Sequence, residues 1–208
     1  MVIDHPIFLE SIRFIRSRLV ANDLNYLEKK VLERLVHTSG DFTVQNLVNF
    51  SEGACEKGLQ ALKNGAPILT DTDMAAAAIK SMAENTTRNK VFTARMWFEK
   101  NNRTKKLTKT AYGLSEGWKE LSAINSGSKS PIVVIGSSPT ALNYLIDILE
   151  NAKDLPSLII GMPVGFIGVE KSKKKLISTN LPRIVLNSTR GGAAMAAAAV
   201  NALLRESI

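Results

Sequence analysis

Apolar residues recur with the period of a helix in the first forty positions of the chain. After Asp4, a residue suited to a helix N-cap, the apolar positions are Phe8, Ile12, Ile15 and Leu19. A second amphipathic pattern precedes Gly40, which suits the left-handed position just beyond a helix end. Its apolar residues are Leu24, Leu27, Val31, Leu35 and Val36. The pattern therefore predicts two helices and places His37 in the last turn of the second.

The middle of the chain alternates helical patterns with short apolar runs. A helix is predicted over 54–63 and an alanine-rich one over 74–82, with the apolar run 67–70 between them. Residues 91–94 are a weaker strand candidate, and another helix is predicted over 108–121. The basic segment 101–106 is predicted to be a connecting loop, and the serine-rich segment 126–130 a flexible joint.

The last third of the chain repeats the order strand, loop, helix. Apolar runs at 132–135, 158–160 and 184–186 each lead through small residues towards a predicted helix. Because parallel strands need crossover helices, we expect one α/β domain over 1–208, with a mostly parallel sheet flanked by helices on both faces. Ligands of such sheets bind beyond the carboxyl ends of the strands.

Loops rich in glycine follow the three runs. They are Gly136-Ser137-Ser138-Pro139-Thr140, Gly161-Met162-Pro163-Val164-Gly165-Phe166 and Arg190-Gly191-Gly192. Glycines let the backbone approach a ligand, and helix N-termini near Pro139 and Gly192 offer N–H groups to an anion. The nucleotide-binding patterns GxxxxGK(S/T) and GxGxxG with a later acidic residue do not occur. From the residues alone, tight-turn chemistry remains the simpler explanation of these glycines.

Charge and composition narrow the class of protein further. The 208 residues carry a formal net charge of +8, so the surface is expected to attract nucleic acid, acidic lipid or a polycarboxylate. A solvated helix face is the expected place of the basic run Lys171, Lys173, Lys174 and Lys175. No apolar run is long enough for a membrane span and no secretory signal is evident, which predicts a cytoplasmic protein. The single cysteine, Cys55, is expected to be a small buried hydrophobe.

Few residues qualify as catalytic from the pattern alone. There is no GxSxG or HExxH, and with only His5 and His37 no histidine-rich metal site is expected. Asp71 and Asp73 lie between a predicted strand and a helix, where N-capping is the expected role. His37 lies at a helix C-terminus, which stabilises imidazolium, yet a lone histidine is more often structural.

The segment around His37 resembles a known family motif. The string Val31-Leu32-Glu33-Arg34-Leu35-Val36-His37-Thr38-Ser39-Gly40-Asp41 is similar to the motif that surrounds the catalytic histidine of precorrin-8X methylmutases. Five further segments resemble this family in the same order. They are Ser11 to Arg16, Gly65 to Ile68 with Asp71 and Met74, Gly136 with Pro139 to Leu142, Gly161 to Gly168, and Arg190 to Gly192 with Met195 and Asn201.

The resemblance implies an isomerase of cobalamin biosynthesis. Such enzymes move a methyl group from C-11 to C-12 of precorrin-8X, giving hydrogenobyrinate, or of cobalt-precorrin-8, giving cobyrinate. It implies that His37 donates a proton or a strong hydrogen bond to a ring nitrogen, with no cofactor and no protein-bound metal. The substrate-binding residues it implies are Ser11, Arg16, Lys109, Ser137, Pro163, Gly165, Phe166, Arg190 and Gly191.

The resemblance also implies a homodimer, in which the alanine-rich helix 193–204 is expected to pack in the core, against a partner chain, or both. Lys109 stands where the family commonly has arginine, so the charge is kept but the bidentate fork is lost. Ser137 and Ser138 replace the usual Asn-Ala. A non-catalytic corrinoid-binding protein is the alternative function, and a nucleic-acid-binding module is disfavoured because aromatic residues make up only 6% of the chain.

Overall fold

The computed structural model of the protein describes residues 5–20, 23–98 and 107–208. Within these ranges the helices are α1 (Pro6–Arg16), α2 (Tyr26–Ser39), α3 (Ala54–Lys63), α4 (Asp73–Glu84), α5 (Lys109–Ile124), α6 (Pro139–Leu149), α7 (Val169–Ile177) and α8 (Ala193–Arg205). The strands are β1 (Val48–Phe50), β2 (Ile68–Thr70), β3 (Val91–Thr93), β4 (Ile132–Ile135), β5 (Leu158–Gly161) and β6 (Arg183–Leu186). Asp4 and the predicted loop 101–106 lie outside the described residues.

Capping explains where the first two helices begin and end. The N-cap of α1 is His5, whose ring accepts a hydrogen bond from the backbone N–H of Ile7. Helix α2 begins with a capping box between Asn25 and Glu28, which satisfies two backbone N–H groups at its N-terminus. It ends as predicted at Gly40, which is left-handed with φ +64° and donates its N–H to the carbonyl of Val36.

The six strands form one sheet in the order β1-β6-β5-β4-β2-β3. All neighbouring pairs are parallel except β1 with β6, so the predicted mostly parallel sheet is confirmed. Strand β1 is not predicted from the sequence, because its three residues are only partly buried and give no apolar run. The predicted flexible joint 126–130 contains a short 3₁₀ helix over Gly127–Lys129.

Helices cover both faces of the sheet, which confirms the three-layer arrangement. Successive residues of a strand point to opposite faces of the sheet. Ile132 and Val134 belong to the core on one face, with residues of α1, α2, α3, α4 and α8. Val133 and Ile135 belong to the core on the other face, with residues of α5, α6 and α7. Helix α8 is buried along most of its length against α2 and α4, so core packing accounts for its alanines.

Cys55 is buried, and burial raises the pKa of its thiol, as expected of a structural cysteine. No helix in the described ranges is both long and apolar enough to cross a membrane.

Two expectations about charged residues are wrong. Lys173 is fully buried, although its neighbours Lys171 and Lys174 are exposed, so the basic run is not a uniformly solvated face. Asp71 does not cap α4, whose N-cap is Thr72. Its carboxylate accepts the backbone N–H groups of Gly136, Ser137 and Ser138 at 2.6–3.1 Å.

Asp71 therefore joins the carboxyl ends of β2 and β4. The chain runs from β2 outward to β3 and then returns to β4 on the other side of β2, so β2 and β4 flank the topological switch point. Burial raises the pKa of Asp71, and the three N–H donors oppose that shift because they favour the charged form. The carboxylate fixes the loop between β4 and α6 in the place where ligands of such sheets bind.

We predict that Asp71→Ala lowers the free energy of unfolding by about 3 kcal/mol or more, because three backbone donors lose their acceptor inside the fold. Denaturant unfolding followed by circular dichroism measures the change. Asp73→Ala is the matched control, since Asp73 is half-exposed in a surface ion pair with Arg95 and its loss is expected to cost about 1 kcal/mol. Equal losses in the two variants would contradict the assigned role of Asp71.

Candidate active site

The two residues with the most specific predicted roles are in contact. The hydroxyl of Ser11 on α1 lies 2.9 Å from Nδ1 of His37 on α2. They are 26 residues apart in the sequence, and the packing of α1 on α2 brings them together. His37 is exposed, and Nε2 has no hydrogen-bond partner within the described ranges. One ring nitrogen is therefore oriented from inside the protein and the other is left for a ligand.

The surroundings of His37 lower its pKa. Burial is the main cause and the positive charge of Arg34, one turn earlier on α2, is the second. The ring of Phe8 meets the imidazole edge to face at 5.2 Å, and the Arg34 guanidinium lies 4.9 Å from the centre of the same ring. A helix C-terminus on its own favours imidazolium, but in this protein burial and Arg34 oppose it, so the neutral ring is favoured in the free protein.

Arg190 connects its loop to the end of α2. Its guanidinium forms an ion pair with Asp41 and donates a hydrogen bond to the hydroxyl of Thr43 at 2.7 Å. The Asp41 carboxylate also accepts the backbone N–H and the hydroxyl of Thr43, which together with Arg190 lower its pKa. A cavity of about 440 Å³ lies at this junction. It is lined by Thr38, Ser39, Asp41, Val44, Leu186, Arg190, Gly191, Ala194 and Met195.

The two glycine loops after β5 and β6 are joined through their backbones. Gly165 donates its N–H to the carbonyl of Thr189, and Gly192 donates to that of Met162, at 3.0 and 2.9 Å. Gly191 has φ +152°, and a Cβ there would lie 2.1 Å from the carbonyl oxygen of Met162. Only glycine fits this close approach, so the predicted ligand loops form one unit.

The loop after β5 presents an apolar tip. Pro163 is buried, whereas Phe166 and the following Ile167 are 88% and 89% exposed. Large apolar side chains that are this exposed are typical of surfaces that contact a ligand or a partner. The predicted apolar wall is thus available for contact.

Ser137 and Lys109 lie on the far side of the same edge. The backbone N–H of Ser137 donates to the carboxylate of Asp71 and is therefore not available to a ligand. An anion at this loop could be contacted only by exposed groups such as the Ser137 side chain. Lys109 is exposed at the first turn of α5, and the preceding Thr108 meets the hydroxyl of Thr140 on α6 at 3.0 Å. The starts of α5 and α6 are therefore neighbours at this edge.

Arg16 is the predicted site residue that the structure sets apart. Its guanidinium makes a bidentate ion pair with Glu33, at 2.6 and 2.8 Å, between α1 and α2. Binding a substrate carboxylate through the same two nitrogens would require Glu33 to be displaced. The remaining predicted residues lie along one edge of the sheet, except Ser11 in the middle of α1 and His37 in the last turn of α2.

Sequence reasoning missed three residues that shape this edge, namely Asp41, Asp71 and Lys173. Asp41 is part of the motif around His37 but is given no role by the sequence. The N–H groups that donate to Asp71 are distant in the sequence, so only the structure identifies them. Lys173 could have been found, because Val169, Ser172, Lys173 and Leu176 follow the spacing of one buried helix face. Within the described ranges, no three side chains of the types that bind metals come together as a candidate metal site.

We predict that Arg34→Met raises the pKa of His37, because it removes the nearby positive charge while keeping an unbranched stem against Phe8. An NMR titration of the imidazole protons measures this directly, and His5 is the only other histidine to distinguish. Arg13→Met is the control, since the charge of Arg13 is not among the causes that shift His37. An unchanged titration in Arg34→Met would contradict the assigned electrostatics.

Comparison with known proteins points to one family. A family model described as "Precorrin-8X methylmutase" matches residues 6–206. A "Precorrin-8X methylmutase" of Pseudomonas aeruginosa is 37% identical, covering 86% of this chain and 84% of its own. A "Cobalt-precorrin-8 methylmutase" of Methanothermobacter thermautotrophicus is 33% identical, covering 92% and 88%.

A solved structure agrees with these sequence matches. The crystal structure titled a precorrin-8x methyl mutase from Thermus thermophilus superposes with a TM-score of 0.85 at 30% identity, covering 97% of this chain and 95% of that one. Sequence and fold are thus matched over nearly the same length. The chain belongs to the precorrin-8X methylmutase family.

Proposed function

We propose that this chain is an isomerase of cobalamin biosynthesis that moves a methyl group from C-11 to C-12 of precorrin-8X or cobalt-precorrin-8. Family membership supports the reaction. The observation that carries the proposal in this chain is the contact between Ser11 and His37, made beside the loop of Arg190. A non-catalytic binding protein has no observation in its favour, because the matched relatives are named as methylmutases.

In this proposal His37 acts through Nε2. We propose that the Ser11 hydroxyl, 2.9 Å from Nδ1, is the donor in this contact, which leaves the proton of the neutral ring on Nε2. That N–H donates to a ring nitrogen of the substrate and favours the electron distribution of the migrated product. Carboxylates of the bound substrate raise the pKa of His37, so a larger fraction of the ring is imidazolium in the complex than in the free protein. The imidazolium form can transfer its Nε2 proton to the substrate and return to the neutral ring. General acid assistance of this kind is worth roughly 10² to 10⁴ in rate.

The migration conserves every atom of the substrate. One carbon–carbon bond at C-11 breaks, one at C-12 forms, and the electron pairs of the conjugated ring rearrange to match. The step consumes no methyl donor and no oxidant, so we propose that no cofactor takes part. The remaining acceleration comes from holding the macrocycle in reactive geometry and from excluding water.

Basic and apolar groups at the edge of the sheet are proposed to bind the macrocycle. Arg190 and Lys109 are exposed cations on opposite sides of the edge and suit the carboxylates of the substrate. Phe166 supplies an apolar wall for the ring, Pro163 and Gly165 shape the loop that carries it, and Gly191 lets the backbone approach the ring. Ser137 contributes its hydroxyl, and the net charge of +8 attracts a polycarboxylate from solution. Arg16 contributes indirectly, by fixing α1 against α2 through Glu33.

Two parts of the prediction concern the protein as a whole. We propose a homodimer whose interface involves surfaces other than α8, since α8 is largely buried within one chain. Sedimentation equilibrium tests the dimer, and a monomer at micromolar concentration would contradict it.

The cytoplasmic location stays a prediction. Turnover of the substrate with and without cobalt separates the two substrate forms.

We predict that His37→Ala abolishes turnover while affinity for hydrogenobyrinate stays within about tenfold, because hydrogen bonding by His37 acts mainly in the transition state. The visible spectrum of precorrin-8X at substoichiometric enzyme measures turnover, and a spectral titration with hydrogenobyrinate measures affinity. His5→Ala is the control and is expected to leave turnover unchanged, since His5 caps α1 away from Ser11. Normal turnover by His37→Ala would remove this residue from the mechanism.

A further inference from the structure

Lys173 is a charged residue inside the fold that the proposed reaction does not use. It lies on the inner face of α7, the helix that directly follows the loop of Pro163 and Phe166. Its side chain is fully buried, and it is the largest of the fully buried side chains among the described residues. Burying a cation is costly unless strong acceptors surround it, so this placement needs an explanation.

The acceptors are two carbonyl groups of the neighbouring ligand loop. The ammonium Nζ donates to the carbonyl of Ser188 at 2.7 Å and to that of Arg190 at 2.5 Å. The carbonyl between them, that of Thr189, accepts the N–H of Gly165. Three successive carbonyl groups of one loop are therefore satisfied by α7 and by the loop that precedes it.

The backbone held in this way carries the proposed binding groups. Arg190 places its guanidinium beside Asp41, and Gly191 packs against the carbonyl of Met162; both line the cavity of about 440 Å³. Burial lowers the pKa of Lys173 to about 8, and the negative charge of Glu170 opposes that shift. The side chain is therefore mainly protonated at neutral pH, where charge-assisted hydrogen bonds to carbonyl groups are strongest.

We propose that Lys173 is a positioning residue for substrate binding: its buried ammonium fixes the backbone of residues 188–190 so that Arg190 and Gly191 are presented to the macrocycle. The inference rests on the proposed function, because it assigns substrate binding to this loop. Lys173 itself touches no reacting atom. Its removal is expected to weaken binding far more than the chemical step, since Ser11 and His37 lie on α1 and α2.

Lys173→Met tests the proposal, because it keeps a long unbranched side chain and removes the charge and the donors. We expect KM for precorrin-8X and Kd for hydrogenobyrinate to rise about tenfold or more, with kcat at saturation within about threefold of wild type. Lys173→Arg, which keeps charge and donors, is expected to recover most of the affinity. Lys174→Met is the matched control on the exposed side of α7 and is expected to behave as wild type.

Hydrogen exchange provides a readout that does not depend on the reaction. Amides of residues 188–192 are expected to exchange about tenfold faster in Lys173→Met, while those of α2 keep their protection. If Lys173→Met does not fold, Lys173→Gln takes its place, with a smaller rise in KM expected because the amide retains donors. Unchanged exchange and unchanged KM, or equal losses in Lys174→Met, would overturn the proposal. Absence of turnover by the wild type would instead reject the proposed function. In that case hydrogen exchange alone would test whether Lys173 fixes the backbone of residues 188–190.

Discussion

Backbone groups at the carboxyl edge of the sheet need partners, because the strands end there and no neighbouring strand continues the ladder. This protein satisfies them with one buried anion and one buried cation. Asp71 accepts three N–H groups of the loop after β4, and Lys173 donates to two carbonyl groups of the loop after β6. The signs match the groups, since N–H dipoles stabilise a carboxylate and carbonyl dipoles stabilise an ammonium. The shape of the proposed active site depends on these two buried charges.

The same edge is connected by Arg190 to the helix of His37, the proposed catalytic residue. Its loop lies next to the end of α2 through the ion pair with Asp41, four residues after His37. Ser11 then orients the imidazole from α1. Residues from opposite ends of the chain are thereby brought together, because Thr38, next to His37 in the sequence, lines the cavity of about 440 Å³ together with Arg190. In the proposed function a polycarboxylate bound next to His37 changes the charge around its ring, so we expect substrate binding and protonation of the histidine to be coupled.

The sequence allowed the helices, the five parallel strands and the three loops to be predicted, because their apolar periods and glycines are local features. The end of α2 at Gly40 and the position of His37 in its last turn followed in the same way. The strand β1 escaped because three half-buried residues leave no pattern. The lowered pKa of His37 could not be predicted from the sequence, because the helix end is a local feature whereas burial depends on packing. Asp71 and Lys173 were misjudged for a related reason: the groups they satisfy are more than ten residues away in the chain.

In the proposed mechanism Ser11 holds His37 with its proton on Nε2, facing the substrate. Long-range ¹H–¹⁵N NMR of the protein with ¹⁵N-labelled histidine tests it most directly, in the free state and with hydrogenobyrinate bound. We expect an Nε2-protonated imidazole in the free protein at neutral pH, whose Nε2–H resonance moves downfield when the corrinoid binds. A ring protonated on Nδ1, or an Nε2 resonance indifferent to the bound corrinoid, would contradict it.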